Sequence, residues 1–247
     1  MLRVVLVNVL VTGGAGCIGG VVVARLLEAG HEVTVIDDLS TGHRDAVSKN
    51  ARFVLGRVQQ ASSTLGLQAF DSVVHLTASS LVAESIANPQ KYQTNNVAGS
   101  YGAIGERHDS KSHLISLTLR AALEGRSVDV FGDDYATPDG TCIRDYIHVV
   151  DIADAHLLAL GASSPGRWRV YNLGNGAGSS VRQVIAAARR VTGMPLAERV
   201  TGRRMGDPAM LVASSERARR ELDWVPRRPE LDEMVDDAWR FVQRRQI

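Results

Sequence analysis

The sequence predicts an α/β protein built on a doubly wound parallel sheet with a smaller C-terminal part, and three observations carry that expectation. Short Val/Leu/Ile-rich runs alternate with helix-patterned stretches through the first third of the chain. The first run passes into a glycine-spaced turn that opens a helix, and the second run ends in an acid. The composition, 247 residues with 45% hydrophobic and 22% charged, suits a soluble chain able to bury a sizeable core.

The elements follow in order. Val4 to Val11 reads as a strand buried on both faces, because such strands show continuous rather than alternating hydrophobicity. A cation ahead of an apolar run also has the form of an export signal. The run holds Asn8 and passes straight into Thr12-Gly13-Gly14, so the strand reading is preferred and the cytoplasm is the expected location. Ile18, Val22, Leu26 and Leu27 recur at helical spacing, and Gly30 supplies a left-handed stop. His31 to Asp37 gives a second strand, and residues 51–55 and 71–77 give two more. Right-handed crossovers between them imply one parallel sheet.

Beyond Asn95-Asn96-Val97-Ala98-Gly99 the alternation breaks into a polar, glycine-rich loop. A helix is expected over 112–125, stopped at Gly125, and then a strand at Val128 to Phe131. Val181, Val184, Ile185, Ala188 and Val191 form one apolar helix face, with Ser179 or Ser180 as N-cap and Gly193 as stop. Leu231, Met234, Val235, Ala238 and Phe241 form another. The expected division is a nucleotide-binding domain at 1–110 and a substrate-binding part at 111–247.

Twenty-eight basic and 27 acidic residues leave a net charge of +1, so no bulk field recruits nucleic acid or an anionic membrane. No run reaches membrane-spanning length. Cys17 and Cys142 have neither metal-ligand spacing nor a disulfide framework, and no metal site is expected.

Gly13-x-x-Gly16-x-x-Gly19 lies where a strand becomes a helix, with Asp37 at the end of the next strand. Glycines let the backbone approach a pyrophosphate, and the helix N-terminus meets it with free N–H groups and a positive dipole. Asp37 suits the hydroxyls of an adenosine ribose, and its charge repels a 2′-phosphate. The pattern is that of a Rossmann-type site favouring NAD over NADP. Its neighbour Asp38 reads as solvated.

These residues carry a family resemblance. Thr12-Gly13-Gly14-Ala15-Gly16-Cys17-Ile18-Gly19, Val35-Ile36-Asp37-Asp38-Leu39 and Asn95-Asn96-Val97-x-Gly99 resemble the extended short-chain dehydrogenase/reductases. Val130-Phe131-Gly132-Asp133-Asp134-Tyr135, Asp139-Gly140-Thr141-Cys142-x-Arg144-Asp145-Tyr146-Ile147-His148-Val149, Asn172-Leu173-Gly174 and Arg203-Arg204-x-Gly206-Asp207-Pro208 narrow this to the UDP-glucose 4-epimerase family. The resemblance implies NAD held by Gly13, Gly16, Cys17, Ile18, Gly19, Asp37 and Asn96. It implies a UDP-sugar held by His113, Phe131, Arg144, Arg204 and Asp207, and interconversion of UDP-glucose and UDP-galactose through a 4-keto intermediate, in a possible homodimer. The forked donors of Arg144 and Arg204 independently suit a diphosphate, with an internal ion pair as the other reading. Phe131 can equally be core.

Two departures bear on mechanism. The family's base is a Tyr four residues before a Lys, whose charge brings the phenol down from its usual pKa of about 10. Here the residues four on from Tyr92, Tyr101, Tyr135, Tyr146 and Tyr171 are Asn96, Gly105, Asp139, Val150 and Asn175. No catalytic residue is therefore assigned. The join of Val97-Ala98-Gly99 to Ser100-Tyr101-Gly102 reads as an internal deletion that removes strands and the base-bearing helix, with marginal solubility as the expected consequence. The second departure is Arg57, standing where the family carries an acid that reaches the adenine. The chain reads as an impaired epimerase, or as an inactive binder of the same ligands.

Overall fold

The computed structural model describes residues 6–66, 68–77, 113–164 and 169–244. In it β1 (Asn8–Thr12), β2 (Glu32–Asp37), β3 (Arg52–Leu55) and β4 (Ser72–His75) form a parallel sheet of order β3-β2-β1-β4. Val9, Val11 and Val35 are fully buried because the central strands are covered on both faces, which is why they read as continuous apolar runs. Within the described residues β1 begins at Asn8, which pairs with Glu32 at the start of β2; Val4 and Val5 of the expected strand lie outside the described residues.

α1 (Cys17–Glu28) lays Val22, Val23 and Leu26 on this sheet and ends before Gly30, whose φ of +89° only glycine adopts readily. α2 (Ala61–Leu65) is one short turn, and α3 (Leu114–Leu123) opens the second half. α4 (Val149–Gly161) is absent from the sequence reading, because its run Val-Val-Asp-Ile-Ala-Asp-Ala-His-Leu-Leu-Ala-Leu-Gly is too evenly apolar to show one face. Within α4, Ala153, Leu157 and Leu160 join the core of the first sheet. Asp154 receives Arg25 Nε at 2.9 Å and Nη2 at 2.6 Å, and these bonds raise the guanidinium pKa.

The chain accordingly packs as two compact units, Met1–Ser110 with Ile152–Trp168, and Lys111–Asp151 with Arg169–Ile247. A single cut near residue 110 therefore misplaces 152–168.

In the second unit β5 (Val128–Phe131) pairs in parallel with β8 (Glu198–Thr201). β6 (Ile143–Arg144) lies between antiparallel β7 (Ser179–Ser180) and parallel β9 (Met210–Leu211). α3, α5 (Val181–Thr192) and α7 (Leu231–Arg244) share a core around Leu119, Val130, Ile185, Val235 and Trp239, where each large side chain contributes about 1.5–3 kcal/mol. α6 (Glu216–Leu222) precedes fully buried Trp224. Ser180 is the N-cap of α5 in a capping box with Gln183, and Gly193 closes it at φ +68°. Phe241, expected on the buried face of α7, is 59% exposed; the helical turn instead brings Trp239 to the core.

Candidate functional site

The glycine turn is built for backbone approach. Gly13 takes φ +73° and donates its N–H to the Ile36 carbonyl at 3.1 Å. A Cβ on Gly19 would stand 2.1 Å from the Gly13 oxygen, and one on Gly14 would stand 2.6 Å from Val35 Cγ1, so α1 begins pressed against the strand ends. Gly16 is the N-cap of α1 and brings no side-chain acceptor to it, which leaves the first-turn N–H groups for an anion. Cys17 and Ile18 are exposed on that turn. The Cys17 thiol is itself sheltered, and burial pushes its pKa up, the opposite of a reactive cysteine.

Asp37 is buried at the end of β2, where its Oδ2 accepts the Ala15 N–H at 3.0 Å and its Oδ1 accepts the Leu39 N–H at 2.8 Å. The Ala15 carbonyl in turn accepts the His43 N–H at 3.0 Å, strapping the segment after β2 across the glycine turn. Each Asp37 oxygen keeps a lone pair for a further donor. Asp38 is not solvated as expected: it accepts the Ser40 N–H at 3.0 Å and stands 3.5 Å from Arg57 Nε, because Arg57 follows the neighbouring strand. At the opposite side of β1, where the strand order reverses, Thr77 donates its hydroxyl to Thr12 at 3.0 Å, and Thr12 Oγ1 lies 2.6 Å from His75 Nδ1. Partial burial lowers the His75 pKa although the residue keeps an exposed edge. Asn96, also assigned to the cofactor, lies outside the described residues, as do Tyr101 and Lys111.

In the second unit Arg144 on β6 reaches Asp207 Oδ1 at 3.3 Å and the carbonyls of Ile143 and Pro208 at 2.8 Å. The Arg204 guanidinium lies 3.6 Å from the centre of the Phe131 ring. Phe131 ends β5 and is only partly buried. Arg144 thus lies against Asp207 and Arg204 against Phe131, and both contacts involve the segment joining β8 to β9. His113 is exposed at the N-cap of α3 without a side-chain bond to the helix. Arg203 beside Arg204 is already committed, donating from Nε to Asp134 at 2.7 Å and lying over Tyr135.

The acids of the string from Asp139 onward serve as clamps. Asp139 accepts the Thr141 N–H at 2.9 Å, the Thr141 hydroxyl at 2.7 Å and the Ser180 hydroxyl. Burial alone would raise its pKa, and these bonds with the charge of Arg182 outweigh that and hold it low. Asp145 accepts the N–H groups of Asn175, Gly176 and Ala213, so closely against Gly174 that a Cβ there would stand 2.3 Å from Oδ2. Asp151 accepts the N–H groups of Arg227 and Arg228. Sequence spacing has no signal for such clamps, since their donors are backbone groups far along the chain.

Neither buried phenol is prepared as a base. Burial raises the Tyr135 pKa and pushes Tyr146 up to about 12, against a smaller opposing pull from Arg144. Tyr171 donates its hydroxyl to Glu221 at 3.2 Å. Among the described residues no group of three or more His, Cys, Asp or Glu is placed to hold a metal, and no helix is long and apolar enough to cross a membrane.

The chain matches the NAD dependent epimerase/dehydratase family over residues 9–104 and 100–174. It is 38% identical to a UDP-glucose 4-epimerase of Corynebacterium glutamicum over 314 aligned positions, covering 95% of each chain. Those positions outnumber the 247 residues present, and the family match breaks near residue 100, so the relative carries residues with no counterpart here. A crystal structure of a UDP-glucose 4-epimerase is similar at TM-score 0.87 and 32% identity, over 97% of this chain and 98% of that one. So is that of a UDP-glucose-4-epimerase from Stenotrophomonas maltophila with bound NAD and formylated UDP-arabinopyranose, at TM-score 0.87 and 27% identity over 97% and 99%.

Proposed function

Because the chain belongs to the UDP-glucose 4-epimerase family, within the NAD dependent epimerase/dehydratases, we propose that its first unit binds NAD, its second binds UDP-glucose or UDP-galactose, and its epimerisation is impaired. The observation that carries the proposal is the Asp37 carboxylate fastened to the glycine turn through Ala15, which presets a ribose acceptor beside an uncapped helix N-terminus. Gly13, Gly16 and Gly19, with Cys17 and Ile18 on the same turn, give the pyrophosphate a surface of backbone alone. Asn96 would complete the cofactor contacts. NAD when bound supplies reversible hydride acceptance at the sugar C4.

Arg144 and Arg204 offer guanidinium forks to the diphosphate, with Asp207 orienting the first and Phe131 supporting the second. His113 is the fifth residue proposed for the UDP-sugar. Removal of the C4 hydroxyl proton lacks its Tyr-x-x-x-Lys pair, and losing a general base costs about 10²–10⁴ in rate. That absence also favours a second reading, a binder of both ligands without turnover. A homodimer working in the cytoplasm completes the proposal.

The test is to denature the purified chain, look for released NAD, and assay UDP-galactose conversion in parallel. Bound NAD with turnover at least a hundredfold below an intact relative supports the impaired epimerase, and bound NAD without turnover the binder. Ordinary turnover would refute the argument from the missing pair, and absence of both would refute the binding assignment.

A further inference from the structure

We propose that the outer edge of β4 is the surface on which two copies of this chain pair, strand to strand and antiparallel about Val73, an inference that rests on the homodimer reading and gives it a site. The sheet order β3-β2-β1-β4 leaves β4 at an edge, and among the described residues no strand lies beyond it. Leu76 donates its N–H to the Thr12 carbonyl at 3.0 Å, so the alternation of a parallel ladder turns Ser72 and Val74 toward β1 and leaves the N–H and C=O of Val73 pointing away from the sheet. Side chains alternate too. Val74 is buried in the core of the first sheet, whereas Asp71, Val73 and His75 share an exposed face, Val73 at 57%. Sheet edges are ordinarily kept from other strands by charge or proline. The opposite edge carries exposed Arg52 at the start of β3, but β4 reads Ser-Val-Val-His and has no such guard.

The occupant this edge fits is a second copy of itself. Antiparallel pairing about Val73 makes the two Val73 residues a hydrogen-bonded pair, in which each N–H meets the other's carbonyl. The same register sets Asp71 opposite the partner's His75. Those two ends are complementary: the Asp71 carboxylate spends Oδ2 on the Asn8 N–H at 2.8 Å and keeps Oδ1, while His75 turns Nδ1 to Thr12 and keeps Nε2. A register moved by one residue loses this match. The contact is isologous, uses one edge of each chain and closes at two copies, joining two four-stranded sheets into one. An unrelated strand would gain the backbone bonds but not the pairing of the ends, which favours the second copy.

The experiment follows the purified chain over a concentration series by sedimentation velocity, beside Val73→Lys and Val73→Thr. The wild type should sediment as a dimer in equilibrium with monomer, and Val73→Thr should keep that dimer. Val73→Lys sets like charges opposite each other and should lose it. The Val73 side chain points away from the core, so both variants should fold, which circular dichroism checks. Cysteine tests the register. On oxidation Val73→Cys should form a disulfide-linked dimer, because hydrogen-bonded partners lie about 5.5 Å apart at Cα, within a disulfide's reach; Leu55→Cys, at an exposed position on the far edge, should not. A dimer that survives Val73→Lys, failure of Val73→Cys to cross-link, or equal cross-linking at both positions would overturn the β4 assignment while leaving the homodimer standing. A monomer at every concentration would overturn both, and assembly beyond two copies would overturn the two-fold pairing.

Discussion

Asp37 Oδ2 and the Ala15 N–H lie 3.0 Å apart, so the carboxylate proposed for the ribose also holds the turn proposed for the pyrophosphate. One residue thereby serves two roles, and its variants should show both. Asp37→Asn keeps the size and one acceptor but loses the charge. The expected outcome is NAD affinity reduced about tenfold, within the range for a hydrogen bond to a charged group, and a narrower preference for NAD over NADP. Titration with the two dinucleotides checks it; an unchanged ratio would remove Asp37 from the ribose.

Gly19→Ala tests the glycine turn by sterics alone. The new methyl would stand 2.1 Å from the Gly13 oxygen, and backbone on both sides leaves nothing flexible to yield. Overpacking of this kind costs about 1–3 kcal/mol. The variant should melt lower and bind no dinucleotide, whereas Gly125→Ala should affect stability but not binding: Gly125 also has positive φ, at +62°, but nothing within 4 Å of its Cβ position.

Much of this was legible in the sequence. Periodicity located β1 to β5 and helices α1, α3, α5 and α7, because each buries one face or two against a layer and its pattern records that. It failed where the pattern is flat, as in α4, and where strands are two residues long, as in β6, β7 and β9, whose pairing depends on Asp145 and distant backbone partners. Residue type announced Arg144 and Arg204 but not what they touch. The Arg57–Asp38 pair could not be read at all, since it joins the ends of two strands whose adjacency only the sheet order sets.

Arg144→Lys separates diphosphate binding from structure. Lysine can still pair with Asp207, but it cannot hold the Ile143 and Pro208 carbonyls while presenting a planar fork. UDP affinity should fall about tenfold or more, read by titration with UDP itself. If UDP affinity holds while the melting temperature drops, Arg144 is a structural tie between β6 and the segment before β9.

His75 gives the first unit a pH dependence whose sign can be worked out. Partial burial lowers its pKa from 6.5, so the unfolded chain binds the proton more readily than the folded one. Stability is therefore complete above pH 6.5 and declines as pH falls from there toward the lower folded value. The ring lies with its Nδ1 2.6 Å from Thr12 Oγ1, the same oxygen that accepts the Thr77 hydroxyl at the reversal point of the sheet. Thermal melts followed from pH 8 to pH 5 should show this decline, and His75→Asn, which offers Thr12 an uncharged amide, should flatten it over the same interval. An equal decline in both proteins would place the acid sensitivity elsewhere, because no other substitution in the pair has altered a titrating group.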